Sequence, residues 1–312
     1  MRDLSILINQ ARRATENIEF SDSVGISDDE FIQYTNDAQD EVETQASRLN
    51  SDLFVASAVI QCVANQSDYA LPDDALMGTK ISQVLWSPNA QDTAYIPLQQ
   101  GRMSEIISEF QGTPSYFVRI GTSIKLIPAP FSSSSRIKVY YQQKLPKVDI
   151  RAGKVGTVVT AGNTITSLVL DSGFNNLSET LLEEGAVTVV SSAGVIKMEN
   201  VLITAFDESS LAVTVDPSFV FEDGETIAAG DYLIRGPRSS NISQLPSICE
   251  RYLLAYMQWR ILKRDSSNDS QEQEGEMKMM LQSIIDAFSE PDGVVDGIPI
   301  ISSEYLDIEG RL

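Results

Sequence analysis

A glycine-punctuated stretch of β-type sequence lies between two regions whose apolar residues recur at helical spacing. Eight glycines between Arg151 and Arg235 separate short runs rich in β-branched side chains, such as Val187–Val190 and Leu211–Val215. Short apolar runs separated by regularly spaced turn residues are typical of small all-β domains. We therefore expect residues 151–236 to form an inserted β domain, a small sandwich or barrel, that projects from the rest of the chain.

The residues on either side of this stretch carry helical patterns. Ser27 and Glu30 have the spacing of a capping box. The apolar stripe that follows them at three- and four-residue intervals consists of Phe31, Tyr34, Ala38, Val42, Ala46 and Leu49. Two more helical stripes follow residue 246, and strand-like runs occur between Val55 and Gln142. The sequence therefore predicts an α+β fold, with a body of N- and C-terminal helices and a β-strand region formed by residues 1–147 and 237–290.

The helix that begins near Ser27 is also strongly acidic, which raises the alternative of a catalytic or metal-binding cluster. Asp37, Asp40, Glu41 and Glu43 fall mostly off its apolar stripe. Charged residues opposite an apolar stripe are the ordinary solvent-facing side of an amphipathic helix. We therefore interpret these carboxylates as a solvated face.

Composition excludes several classes of function. The 312 residues contain no histidine and carry a net charge of −21. Without histidine, the Ser-His and Cys-His nucleophile arrangements cannot form, and no other catalytic motif occurs, so we expect no enzymatic activity and no cofactor. A protein that holds nucleic acid by its phosphates needs a basic surface, so tight or specific DNA binding is not expected. An acidic wall past which DNA slides without binding remains possible, because like charges repel. Any unexpected DNA binding would point to a basic patch around Arg260, Lys263 and Arg264.

The sequence also carries no apolar run of the roughly 18 residues that a membrane span needs, so we expect no membrane association. Its first residues do not resemble a signal peptide, and Cys62 and Cys249 are far apart in apolar segments. These features predict reduced, buried cysteines and synthesis in a cytoplasm.

One loop offers a weak candidate for a calcium site. Asp265, Ser267, Asp269 and Glu276 occupy the first, third, fifth and twelfth positions of an EF-hand-like loop between two predicted helices. Ser270 stands where the sharp turn of that motif needs glycine. A polar loop that joins two helices without binding metal is the favoured interpretation.

The C-terminal residues 291–312 are predicted to form an extended tail after a helix stop at Pro291. An apolar segment within it is too short to form a core of its own, but it could add as a strand to the edge of another sheet. The candidate partner-binding residues in this segment are Ile298, Pro299, Ile300, Ile301, Tyr305 and Leu306. The alternative is a tail that folds back on its own subunit.

The β-strand region resembles a known family through the order of four short motifs. These are Tyr69-Ala70-Leu71-Pro72-Asp73-Asp74, Gly112-Thr113-Pro114-Ser115-Tyr116-Phe117, Leu126-Ile127-Pro128-Ala129-Pro130 and Tyr140-Tyr141. In this order, and between the helices described above, they resemble the head-to-tail adaptor proteins of tailed bacteriophages, especially short-tailed phages. The likeness covers roughly residues 1–147 and 237–290, and the insertion at 151–236 departs from it.

The resemblance implies a structural virion protein of the neck or tail. It implies a homo-oligomeric ring of twelve subunits below the portal protein, joined to tail nozzle or fibre proteins. The ring would surround the channel through which genomic DNA passes without specific binding. A different class remains as the alternative: a capsid- or fibre-associated binding protein whose β domain recognises carbohydrate or a host surface. Fibre-type binders are usually trimers, so the mass of the assembly distinguishes the two.

Overall fold

The computed structural model describes most of the chain in ten segments. They comprise residues 1–14, 26–49, 53–76, 81–89, 94–102, 111–161, 164–171, 185–216, 227–264 and 269–289. Within them, four α-helices and eighteen strands form a mixed α+β fold, as the sequence predicts. No helix in these segments is long and apolar enough to cross a membrane.

The four helices pack against one another in a helical layer. They are α1 (Leu4–Ala14), α2 (Asp28–Leu49), α3 (Glu250–Arg264) and α4 (Asp269–Ser289). The capping box at the start of α2 forms as predicted: the Glu30 amide donates to Ser27 Oγ, and the Ser27 amide donates to the Glu30 carboxylate. Phe31, Ala38 and Val42 of the predicted stripe are buried against α3 and its neighbours, which anchors α2 in the layer.

The β-strand region of the body is built from two four-stranded sheets with a shared core. One sheet has the order β1 (Val55–Gln61), β10 (Arg136–Gln142), β3 (Ile81–Ser87) and β4 (Ile96–Pro97). The other has the order β2 (Asp68–Ala70), β8 (Ser123–Ile127), β7 (Tyr116–Ile120) and β5 (Gln99–Gln100). A small pair, β6 (Gln111–Gly112) and β9 (Ala129–Pro130), lies beside them. Residues from both sheets, such as Val84 and Ile124, are buried in one cluster.

The insertion is a closed six-stranded barrel, which decides between the two folds that its turn spacing allowed. Its strands follow the order β12 (Arg151–Ala161), β13 (Thr164–Leu170), β16 (Ala212–Val215), β15 (Ile196–Asp207), β14 (Ala186–Val190) and β17 (Tyr232–Arg235). The barrel has its own buried core, in which Leu168 and Leu233 are fully enclosed. Closure removes the exposed edges that an open sheet would leave.

Candidate functional site at the junction of helices and barrel

A polar stripe on α2 binds the backbone of the segment that leads into the barrel. Asn36 donates to the Val148 carbonyl (2.9 Å) and accepts from the Val148 amide (2.8 Å). Gln39 Nε2 donates to the Pro146 carbonyl, and Glu43 Oε1 accepts from the Leu145 amide, both at 2.8 Å. These three side chains follow one another at helical spacing, so a single helix face holds three residues of the connector, Leu145, Pro146 and Val148.

The two connectors of the insertion also pair with each other. β11 (Lys147–Val148) and β18 (Ser239–Ser240) run parallel, and Lys147 N donates to the Arg238 carbonyl. The outgoing connector is held against the barrel as well: Thr188 Oγ1 donates to the Gly236 carbonyl and accepts from the Ser239 amide. Both ends of the insertion therefore leave the body side by side.

Gly194 lets the outgoing connector approach the barrel closely. Its φ is +79°, and a Cβ placed there would lie 2.7 Å from Cδ1 of Ile242. A side chain at this position would meet Ile242 and would also need a strained backbone. The glycine thus belongs to the packing of barrel against body.

Two arginines add ion pairs across the junction. Arg235 at the end of the barrel contacts Asp149 of the connector (3.0 Å) and Asp29 of α2 (2.9 Å). Burial of the Arg235 guanidinium lowers its pKa, but the hydrogen bonds that Arg235 donates to Asp149 and Asp29 outweigh this effect and raise the pKa overall. Arg238 contacts Asp74 of the body and Glu199 of the barrel. Each arginine therefore ties the barrel side of the junction to the helical or strand part of the body.

These contacts border a cleft of about 1280 Å³ between α2, the body strands and the barrel. Its charged lining comprises Asp29, Asp37, Asp40, Asp73, Asp74, Asp149, Glu199, Lys144, Lys147, Arg235 and Arg238. Carboxylates outnumber basic groups, and the two arginines are already engaged in the ion pairs above. The cleft is therefore an acidic polar surface.

The carboxylates of α2 differ in exposure, and their interpretation as a solvated face was wrong for Glu43. Glu43 is only 3% exposed, because the connector covers it. Asp37 pairs with Arg260, and Glu41 accepts from the Tyr252 hydroxyl at 2.8 Å. Asp40 is exposed, as expected. The helical period correctly separated apolar from polar positions but could not show that another segment would pack on the polar side.

The residues proposed as a basic patch are partly neutralised by the same helix. Arg260 lies 3.4 Å from Asp37, and Arg264 lies 3.2 Å from Glu30. Lys263 Nζ sits 4.6 Å from the centre of the Trp259 ring. These contacts bring acidic side chains next to two of the three cations, so the patch presents little net positive charge.

Most of the calcium candidate lies outside the described residues. Asp265 and Ser267 are not described, the side chain of Asp269 is not described, and Glu276 is exposed on α4. Within the described segments, no group of three or more acidic or cysteine side chains is placed to hold a metal ion. The calcium hypothesis stays a prediction.

The candidate partner-binding residues of the tail also lie outside the described segments, which end at Ser289. They are Ile298, Pro299, Ile300, Ile301, Tyr305 and Leu306. Their role stays a prediction.

Sequence reasoning missed the junction residues Asn36 and Gln39. Both lie on the polar side of a helix that was interpreted through its charges, and Gln39 is nearly fully buried. The signal available was the presence of amides at helical spacing beside the apolar stripe, since side-chain amides can bind both backbone amides and carbonyls.

Comparison with known protein families assigns this chain to one of them. The family model described as SU10 adaptor protein matches residues 2–173, which comprise α1, α2, the body strands and the first strands of the barrel. No curated protein matches the chain. Because the matched region is more than half of the chain, this protein belongs to the SU10 adaptor protein family, in agreement with its resemblance to the head-to-tail adaptors of tailed phages.

Proposed function

We propose that this protein forms a ring of twelve subunits below the portal of a phage and links the portal to the tail nozzle or fibres. The observation that carries this proposal is its membership of the adaptor family, which is a family of structural phage proteins and not an enzyme class. Association with portal and tail components in the neck of the virion follows from that membership. The twelve-fold ring and its linkages are the proposal.

The junction supports a linking role. The helical layer and the barrel each have a separate buried core, and the junction joins them by backbone pairing, side-chain hydrogen bonds and ion pairs. A protein that links two partners has to hold them at a fixed distance and orientation, so its own two parts must keep a fixed geometry. We assign the body to the ring and to the portal, and the barrel at 151–236 to a projecting contact with fibres or another tail component.

Symmetry favours such an assembly, because each subunit of a ring repeats the same contacts with both neighbours. In this proposal the tail at 291–312 grips an adjacent subunit or the portal by adding a strand to a sheet. Truncation after Pro291 is then expected to leave a stable monomer that fails to assemble or to join the portal. A truncated protein that still assembles normally would contradict the role of the tail.

The decisive measurement is the mass of the protein by light scattering, alone and mixed with the portal. The expected result is a complex in which twelve copies of the 34.3 kDa chain accompany the portal ring. A trimer that does not bind the portal would instead support the class of capsid- or fibre-associated binding proteins.

A further inference from the structure

Among the described strands, β1, the first strand of the body, lies at the edge of its sheet with no neighbour on one side. β1 pairs with β10 through an unbroken antiparallel register from Val55 to Gln61, and no other described strand pairs with β1. A strand at the edge of a sheet exposes backbone amides and carbonyls that can bind another extended chain.

The hydrogen bonds at both ends of β1 show which backbone groups face this open side. Phe54 O accepts from Gln143 N, and Cys62 N donates to Ser135 O, each at 2.9 Å. Bonded and non-bonded residues alternate along an antiparallel pair, so the even-numbered residues of β1 bond to β10. The backbone groups of Val55, Ser57, Val59 and Gln61 therefore point to the open edge.

This edge lacks the features that usually block pairing with another chain. The strand Val-Ala-Ser-Ala-Val-Ile-Gln contains no charge and no proline, and its register has no bulge. Charged residues, prolines and bulges are the common protections of exposed edges. Val59 is 55% exposed, and Val63 just beyond the strand is 50% exposed. An unprotected apolar edge of this length is suited to a partner strand.

We infer that the open edge of β1 accepts residues 298–306 from the tail of a second copy of this chain. This inference rests on the proposed ring, and it names the surface that a neighbouring tail would grip. The nine residues of the segment include one proline, so eight carry a backbone amide, and in a paired strand alternate residues turn these groups toward the neighbouring edge.

Charge favours this occupant. Val59 and Gln61 lie opposite Lys138 and Arg136 of β10. The strand next to β1 therefore carries two positively charged side chains. The tail carries Glu304, Asp307 and Glu309 in and just after the apolar segment. In a chain with a net charge of −21, a basic strand next to an open edge is a specific complement for an acidic segment.

The link between the last helix and the segment is long enough to reach an adjacent subunit. α4 ends at Ser289, and Phe288 packs in the same cluster as Phe54, directly before β1. Residues 290–297 span at most about 26–29 Å when extended, whereas β1 spans about 23 Å. The proposed ring, and not this reach, selects a second copy as the donor of the tail. A mixture of edge and tail variants separates this case from a tail that pairs with its own β1.

The test uses full-length chains and light scattering after size-exclusion chromatography. Ser57→Pro removes an amide that faces the open edge and is not bonded to β10, so the sheet should tolerate it. The double variant Ile301→Pro with Ser302→Pro impairs the tail as a strand, because one of two neighbouring amides faces the edge of β1 in either register. Ser57→Ala is the matched control, because it keeps the amide. Circular dichroism checks that each variant is folded.

The wild type and Ser57→Ala should self-associate, while each proline variant alone should need at least tenfold higher concentration. A mixture of the two proline variants should form a 1:1 dimer, because one copy supplies an intact tail and the other an intact edge. Normal assembly of Ser57→Pro, or a mixture that stays monomeric, would overturn the inference. If Ser57→Pro does not fold, Lys138→Glu replaces it and should weaken association, with recovery when Glu304→Lys is added.

The same preparations separate this inference from the proposed function. A wild-type chain that binds the portal but whose assembly is unaffected by the edge variants would keep the adaptor role and refute the edge. A wild-type chain that stays monomeric up to millimolar concentration would also refute the edge, and the portal mixture would then test the adaptor role alone.

Discussion

Packing at the junction changes the pKa of one buried residue, Glu43. Burial under the connector raises the pKa of its carboxyl group, the Leu145 amide opposes that change, and nearby Asp40 adds to it. A carboxyl group whose pKa is higher in the folded state binds protons more tightly when folded. Its contribution to stability is therefore complete below its unfolded pKa and is lost as the pH rises through its folded pKa.

We predict that Glu43→Gln reduces this dependence on pH. The glutamine keeps an oxygen that can accept from the Leu145 amide but carries no charge to be buried. Urea unfolding should give similar stabilities for wild type and variant at low pH and a relative gain for the variant at neutral pH. The exposed Glu276→Gln provides the control. An unchanged difference between variant and wild type across the pH range would contradict the assignment.

A second prediction concerns Asn36, which makes two hydrogen bonds to Val148. Asn36→Ala leaves both backbone groups of a buried residue without that partner, and such a loss costs about 1–3 kcal/mol. Chemical denaturation should show a lower free energy of unfolding. Gln33→Ala, on an exposed position of the same helix, should change stability by less than about 0.5 kcal/mol. Equal effects of the two changes would deny Asn36 its role in holding the connector.

At the scale of elements, the barrel is an insertion that begins and ends at adjacent points. β11 and β18 lie side by side, and the barrel core shares no residue with the clusters that hold the helices. Val148, in the connector that precedes the insertion, is buried among residues of α1, α2 and α3. The core of the body therefore includes this connector but not the barrel.

Deleting residues 148–235 and joining Lys147 to Gly236 should leave a folded helical body. The loss of Val148 and of the bonds to Asn36 should lower its stability, but the helix–helix contacts remain. Circular dichroism should retain the helical signal, and thermal unfolding should remain cooperative. An unfolded product would show that the barrel is part of the body's core. A shorter deletion that retains Val148 serves as the comparison and should be the more stable of the two.

At the scale of the whole molecule, the net charge determines whether the protein binds nucleic acid. The net charge is −21, and two of the three cations considered for a basic patch lie beside carboxylates of α2. Like charges repel, so an acidic wall lets a duplex pass without adhering to it.

The isolated protein should consequently show no measurable binding to duplex DNA at physiological salt. Fluorescence anisotropy with a labelled duplex is the measurement. The double variant Asp37→Asn with Glu30→Gln tests whether these carboxylates suppress DNA binding. It removes the negative charges beside Arg260 and Arg264 and should raise binding at low salt. Tight, salt-sensitive binding by the wild type would contradict the prediction.

The sequence alone specified the elements because their signals are local. The capping box at Ser27, the apolar stripe from Phe31 and the glycine-separated runs of the insertion each depend on neighbours within a few residues. Those local signals correctly predicted an α+β body, a capped α2 and a small β domain, and the order of short motifs indicated the adaptor family. Turn spacing allowed either a sandwich or a barrel, because both use short strands with frequent turns.

The tertiary structure decided how these parts meet. Asn36, Gln39 and Glu43 look like ordinary polar positions of a helix until residues more than a hundred positions away pack on them. The same holds for Arg235, which joins Asp29 and Asp149 only after the barrel closes. Such contacts link segments distant in the chain, and local periodicity carries no information about them. Helices and strands were therefore readable from spacing, whereas the junction and the open edge of β1 exist only in the folded arrangement.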